Sequence, residues 1–310
     1  MDVCKTGDGQ TMNYLVTGGA GFIGSHLVDK LLEQGGRVTV IDDFSEGKLE
    51  NLPYGNPDLK IINMSICEPI DFWTKGMDVV FHLAALTRPI ESLEKPEKYN
   101  AVNVNGTLGL LVACKNNSVK RVVFASSASI YGEQEFFPTS ESAFPNPMQP
   151  YATQKLIGEW YCKLFNNTYA LETVMLRFFN VYGTRMNPDS PYAAVIPIFI
   201  KKIKAGESPT IYGSGDQSRD FIHVDDVVDG IFMASYKDVA GQIMNLGSGT
   251  DISINNLFDL LCRKIGVTVD PIYGPAMIEP MTTLANRYKA LTLMNWKSHI
   301  SLSDGVGRLI

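Results

Sequence analysis

Residues 14–24, Tyr14-Leu-Val-Thr-Gly-Gly-Ala-Gly-Phe-Ile-Gly24, constrain this chain more than any other stretch. An apolar strand runs into a glycine turn, and an amphipathic helix follows through Leu27, Val28, Leu31 and Leu32. Gly19, Gly21 and Gly24 satisfy G-x-G-x-x-G, while Gly18, Gly21 and Gly24 satisfy G-x-x-G-x-x-G. Glycine serves three needs there: a tight turn, close approach of the backbone to a pyrophosphate, and close packing of helix on strand. The helix N-terminus adds unpaired N–H groups and a partial positive charge that favour phosphate. A second apolar strand, Arg37 to Ile41, ends in Asp42, 18 residues after Gly24. A carboxylate at that place holds a ribose 2′-hydroxyl and repels a 2′-phosphate, so the expected dinucleotide is NAD and not NADP.

The first half of the chain continues the alternation. Candidate strands are Tyr14–Thr17, Val38–Ile41, Lys60–Asn63, Val79–Leu83, Arg121–Ser126 and Glu172–Phe178. Helical stretches lie near Phe22–Gln34, Asn100–Asn116 and Tyr151–Tyr169. The pattern predicts an α/β fold with a Rossmann doubly wound parallel sheet, helices covering both faces. Ligands of such sheets sit at the carboxyl ends of the strands. The expected site therefore draws on Gly18–Gly24, Asp42–Ser45, Leu83–Thr87, Ser126–Ser129 and Phe178–Tyr182.

After Asn180 prolines and glycines thicken, at Pro188, Pro191, Pro197, Gly206, Pro209, Gly213 and Gly215. A helix (Ala194–Ala205) and a strand (Thr210–Tyr212) stand out. A helix (Val224–Ser235) and a strand (Gln242–Leu246) then return to the first lobe, and a helix (Asn255–Ile265) precedes mixed loops. The expected division gives residues 12–179 plus 219–246 to the dinucleotide-binding domain. Residues 180–218 plus 247–310 form a smaller, discontinuous α/β lobe over the strand ends, and residues 1–11 a disordered extension, with Met12 a natural start.

Composition narrows the function classes. No apolar run reaches 18 residues, so no membrane helix is expected. A net charge of −6 argues against nucleic acid as partner, and an anionic ligand must then be held by a few local arginines. Met1–Thr11 lacks the apolar core of a secretory signal. The five cysteines show neither C-x-x-C nor metal-ligand spacing, so they read as reduced thiols of a cytoplasmic protein, and no metal is expected.

Tyr151-Ala-Thr-Gln-Lys155 opens a helix after a proline-rich loop. Tyr and Lys at i and i+4 share one helix face. A free tyrosine ionises near pH 10 and is a poor base at neutral pH. A lysine ammonium and a positively charged nicotinamide beside it both favour the phenolate. Bringing its pKa to about 7 takes roughly 4 kcal/mol, at about 1.4 kcal/mol per unit. Ser126-Ser127-Ala-Ser129 ends the preceding strand and offers hydroxyls to a substrate oxygen or to the tyrosine; the same serines also suit a turn or helix cap. His82 reads as a packed core histidine, and Asp225 and Asp226 as helix caps.

The order of Thr17–Gly24, His82-Leu-Ala-Ala85, Asn103, Ser126–Gly132, Tyr151–Lys155, Arg177-Phe-Phe-Asn-Val-Tyr-Gly183 and Arg219–Asp226 resembles the extended short-chain dehydrogenase/reductases. Within them the chain looks most like nucleotide-sugar epimerases of the UDP-glucose 4-epimerase type, from Met12 to Ile310. The resemblance implies that Tyr151 takes the proton of the sugar 4-hydroxyl, that Ser127 is the assisting hydroxyl, and that Lys155 binds the nicotinamide ribose and tunes Tyr151. The C4 hydride passes to NAD and returns to the opposite face of a 4-keto sugar. It assigns NAD binding to Gly18, Gly21, Phe22, Ile23, Gly24, Asp42, Asp43, Ser45, Ser65, Ile66, Leu83, Ala84, Ala85, Asn103, Ser126 and Phe178, together with Tyr151 and Lys155. It assigns a nucleotide sugar, UDP-linked, to Thr87, Ser127, Asn180, Val195, Thr210, Tyr212, Arg219 and Glu279, and it implies a homodimer.

Related 4,6-dehydratases carry an Asp-Glu pair after the catalytic serine and the decarboxylases a glutamate, whereas this chain has Ala128-Ser129. Epimerisation is thus expected over elimination of water. The chain departs from the family at Ser65, where an adenine-contacting Asp is usual, and at Ala276, where a second diphosphate arginine is expected; Arg185 or Arg287 would have to substitute. A tyrosine that walls the sugar pocket falls near Thr283, which leaves room for an N-acetyl group.

Overall fold

The structure, a computed structural model, describes residues 9–187 and 194–310; Pro188, Pro191, Cys4 and residues 1–8 of the expected extension lie outside the described residues. The first half runs β1 (Asn13–Thr17), α1 (Phe22–Glu33), β2 (Arg37–Asp42), β3 (Leu59–Asn63), α2 (Asp71–Thr74), β4 (Val79–His82), α3 (Pro89–Glu94), α4 (Pro96–Asn100), α5 (Thr107–Asn116), β5 (Arg121–Ser127), α6 (Pro150–Tyr169) and β6 (Glu172–Phe178). There follow β7 (Asn180–Tyr182), α7 (Val195–Lys204), β8 (Thr210–Tyr212), β9 (Ser218–Arg219), β10 (Phe221–His223), α8 (Val224–Tyr236) and β11 (Ile243–Leu246). The chain closes with β12 (Ile252–Ser253), α9 (Ile254–Ile265), β13 (Ile272–Gly274), β14 (Thr282–Thr283), α10 (Tyr288–Met294) and α11 (Leu302–Gly307).

Seven strands form the main sheet in the order β11-β6-β5-β4-β1-β2-β3. Every pairing in it is parallel. Successive side chains of a strand point to opposite faces, and both faces here are apolar. Tyr14 and Val16 of β1 pack with Leu27 and Leu31 of α1 and Val227 and Ile231 of α8. Leu15, between them, faces Leu110 and Leu111 of α5 and Phe165 of α6. Strand order reverses between β1 and β4, which opens a crevice at their carboxyl ends.

A smaller α/β lobe has its own core, built from Ile196, Phe199 and Ile203 of α7 and Leu257, Phe258 and Leu261 of α9. Its strands pair in short sheets, β12-β9-β14 and β13-β8, beside the pair β10-β7. These strands span two or three residues, too few for a period-two pattern to show in sequence.

Of two local expectations, one holds and one needs correction. The helical stretch expected near Asn100–Asn116 is helical throughout, and α4 passes through a π-helical turn at Ala101–Gly106 into α5. That turn carries Asn103, whose side chain bonds the Leu86 N–H and carbonyl, both at 2.9 Å, and Gln154 at 3.0 Å. The cap of α8 is His223, whose Nδ1 accepts from the Asp225 N–H, and not an aspartate. Asp226 instead accepts from the backbone N–H groups of His299 and Ile300, tying the C-terminal segment to α8.

Candidate active site

A cavity of about 640 Å³ lies at the carboxyl ends of β1, β2, β4, β5 and β6. The glycine turn forms its floor. Gly18 has φ +71°, and a Cβ there would lie 2.6 Å from the Ala84 nitrogen. A Cβ on Gly24 would lie 2.1 Å from the Gly18 carbonyl oxygen. Gly18 therefore serves close approach of the turn to the segment after β4, and Gly24 close packing of α1 on the turn. Gly21 differs: it caps α1 at φ −73°, lines the cavity, and its Cβ would come no nearer than 3.3 Å to a neighbour. Its open side, with the first-turn N–H groups of Phe22 and Ile23, is a cradle that fits a dinucleotide pyrophosphate.

The β2 side carries the acidic residues. Asp42 is buried; its carboxylate accepts from the N–H groups of Ala20 and Phe44, each at 2.9 Å. Burial nevertheless pushes its carboxyl above the usual range. Asp43 accepts from the Ser45 N–H at 3.0 Å and hydroxyl at 2.5 Å. Ile66, Leu83, Ala84, Ala85, Thr87 and Phe178 line the walls. Ser65 does not: its N–H donates to the Glu68 carboxylate at 3.0 Å. Asn103 also stands behind the wall, holding Leu86. Sequence reasoning missed Arg88, which pairs with Glu46 and so joins the loop after β4 to the loop after β2. The only signal for it was a charge beside the strand-end segment Leu83–Thr87.

Ser126, Ser127, Tyr151 and Lys155 meet on the β5 side. Ser127 lies beside the Tyr151 phenol and favours its phenolate, and its Oγ accepts from the Ser129 N–H at 3.2 Å and hydroxyl at 2.9 Å. The serine is thus both a cap for the following turn and a partner of the tyrosine. The Ser126 hydroxyl points away, donating to Glu159 at 2.6 Å. Lys155 Nζ donates to the Ala125 carbonyl at 2.8 Å.

The ionisation of this cluster follows from its burial. Burial pushes Tyr151 up to about 12, against the Ser127 hydroxyl that favours its phenolate. Burial likewise brings Lys155 down to about 8. Desolvation of the phenolate outweighs what the Ser127 hydroxyl supplies. His82 is a core histidine as expected, held between the hydroxyls of Thr17 at 2.8 Å and Thr107 at 2.9 Å. Burial, and then the Lys155 charge, take it down to about 3.

The remaining residues expected at a substrate lie beyond this cavity, toward the small lobe. Asn180 donates to the Asp220 carbonyl and the Thr283 hydroxyl, each at 3.1 Å. Arg219, in β9, meets the Glu279 carboxylate at 2.8 Å. Thr210 and Tyr212 form β8, and Val195 opens α7. Of the two substitute arginines considered, Arg185 lines the cavity and pairs with Asp29 at 2.6 Å, whereas Arg287 turns to Ser298 at 2.7 Å. No group of metal-ligating side chains occurs among the described residues, and no helix among them is long and apolar enough to cross a membrane.

The sequence profile of the NAD dependent epimerase/dehydratase family matches residues 14–247. The UDP-N-acetylglucosamine 4-epimerase of Methanobrevibacter ruminantium M1, solved in complex with UDP-N-acetylmuramic acid, is 40% identical; the match covers 96% of each chain with a TM-score of 0.92. The UDP-glucose 4-epimerase of Thermotoga maritima, solved with UDP-glucose, is 36% identical over 96% of this chain and 97% of that one, with a TM-score of 0.91. A dTDP-glucose 4,6-dehydratase of Streptomyces venezuelae, DesIV, solved with NAD and TYD, is 27% identical over 96% and 95%, with a TM-score of 0.90. With the glycine cradle, the acidic end of β2 and the Ser127–Tyr151–Lys155 cluster on one crevice, the chain belongs to the NAD-dependent epimerase/dehydratase family and uses NAD as its cofactor.

Proposed function

We propose that this enzyme interconverts nucleotide sugars epimeric at C4, of the UDP-glucose/UDP-galactose type or their N-acetyl forms. NAD-dependent modification of a nucleotide sugar is the broader activity, and inversion at C4 is the specific one. One observation carries the choice. Among the described residues, every carboxylate lining the cavity comes from residues 42–50 on the β2 side, across β4 and β1 from Ser127 and Tyr151. Elimination of water needs a second acid and base beside the sugar. At that place the chain offers Ala128 and Ser129, and Glu133, further on, accepts from the Met281 N–H at 3.0 Å.

In this reading the Tyr151 oxygen takes the proton of the sugar 4-hydroxyl and later returns it. The Ser127 hydroxyl beside it assists that transfer, and Lys155 holds a positive charge behind it. Bound NAD supplies a reversible hydride acceptor. Arg219 and Asn180 hold the diphosphate side, with residues 180–218 plus 247–310 as the nucleotide-sugar lobe. A small Thr283 beside Asn180 favours acceptance of an N-acetyl group. The enzyme is a homodimer through α5 and α6, where Trp160 is 62% exposed and Leu164 50% exposed, too open to be explained by packing on the sheet.

The test is incubation of the purified protein with UDP-glucose, UDP-galactose and their N-acetyl forms, without added cofactor. Interconversion with no net NADH is expected. A 4-keto-6-deoxy product, or net NADH, would overturn the reading in favour of a dehydratase or a dehydrogenase.

A further inference from the structure

Tyr151, Lys155 and Glu159 follow at intervals of four along α6, and each one engages β5. Lys155 bonds the Ala125 carbonyl and Glu159 the Ser126 hydroxyl, while Tyr151 lies beside Ser127 on the cavity wall. Gly158 lets the helix approach, since a Cβ there would lie 2.5 Å from the Phe124 ring. Glu159 and Arg177 are 1% and 3% exposed. Glu159 Oε1 accepts from Arg177 Nε at 2.8 Å and Oε2 from Nη2 at 2.7 Å. The guanidinium carbon lies 4.7 Å from the centre of the Tyr131 ring, and Nη1 has no hydrogen-bond partner among the described residues. Tyr131 in turn donates to Asn245 of β11 at 2.6 Å. One buried ion pair therefore ties together α6, β5, β6 and β11.

An ion pair this deep is an inefficient way to gain stability, because desolvating both charges offsets much of their attraction, and an apolar pair of similar volume serves as well. What it supplies is fixed geometry: a planar fork on two carboxylate oxygens admits one register. We infer that Glu159 and Arg177 are positioning residues that fix how α6 seats Tyr151 and Lys155 against the end of β5. The inference rests on the proposed roles of Tyr151 and Lys155. The carboxylate also acts through space. The ionisable groups around Lys155 are Tyr151, Glu159 and Cys162 on α6, His82 on β4 and, behind Glu159, Arg177 on β6. Glu159 and Cys162 favour the lysine ammonium, and burial opposes it.

Two variants test the pair. Glu159→Gln keeps the shape and an acceptor for Ser126 but sets a donor against Arg177. The double variant E159L/R177M leaves no unpaired charge and stays foldable if the single one does not. Both are expected to lose about 10- to 100-fold in kcat with KM for the sugar nearly unchanged, as for a reacting group displaced by a fraction of an ångström. Both should also move the Lys155 titration, followed by NMR of isotope-labelled lysine and assigned with Lys155→Arg, to lower pH. A stable double variant with the parent kcat and an unmoved Lys155 titration would overturn the inference. Tyr151→Phe judges the underlying reading separately: if it kept turnover that reading would fall, while the lysine titration would still decide the role of the pair.

Discussion

Lys155 Nζ donates to the Ala125 carbonyl at 2.8 Å and lies 6.0 Å from the centre of the Tyr151 ring. Its charge is thus anchored to β5 while facing the tyrosine. Burial holds its pKa near 8, below the 10.5 of a free lysine. Activity that needs the ammonium is present below about pH 8 and falls as pH rises through it. Lys155→Arg, whose guanidinium stays charged, should shift that alkaline limb of kcat upward. Stability runs the other way. The cost of burying the charge is complete below about pH 8 and is relieved as pH rises toward 10.5. A pH series of kcat and of unfolding midpoints checks both signs.

Tyr151→Phe should lower kcat by about 100- to 10,000-fold, the usual span for a proton-transfer residue. The cofactor should still copurify, as the glycine cradle is untouched. In the protein freed of cofactor, phenolate absorbance from Tyr151 should appear only near pH 12.

Gly24 and Gly21 should separate by role. Gly24→Ala places a Cβ 2.1 Å from the Gly18 carbonyl and should cost about 1–3 kcal/mol of stability or more. Gly21→Ala meets nothing closer than 3.3 Å. Thermal melting should barely change, yet NAD retention should fall. Equal loss of stability in both variants would remove Gly21 from the ligand cradle.

Arg219→Met should raise KM for the nucleotide sugar by about 10- to 100-fold, as expected for losing a hydrogen bond to a charged group. NAD content should not change. Steady-state kinetics with cofactor quantified by absorbance separates the two effects. A KM within twofold of the parent would take Arg219 out of the diphosphate site.

Charging the exposed face of α6 with Trp160→Glu and Leu164→Glu should convert a dimer to a monomer in sedimentation, with secondary structure retained. The two side chains are 62% and 50% exposed in a single chain, so their replacement disturbs little of the core.

The glycine turn, the strand–helix alternation and the acid ending β2 were legible in the sequence because each rests on local chemistry. A turn that needs φ above zero selects glycine at Gly18, and fully buried parallel strands leave continuous apolar runs. The Tyr151–Lys155 spacing was likewise readable, since a helix alone places i and i+4 on one face. The short strands β9, β12 and β14 were not, because their pairing brings together segments far apart in the chain.

Tertiary structure alone decided where the charges meet. Arg88 with Glu46, Arg219 with Glu279 and Arg177 with Glu159 are joined by folding and not by spacing. It also set the ionisation of Tyr151. The sequence supplies a lysine four residues away, which favours the phenolate, whereas burial pushes the phenol up to about 12. Desolvation depends on every element packed around a group, and no local motif records it.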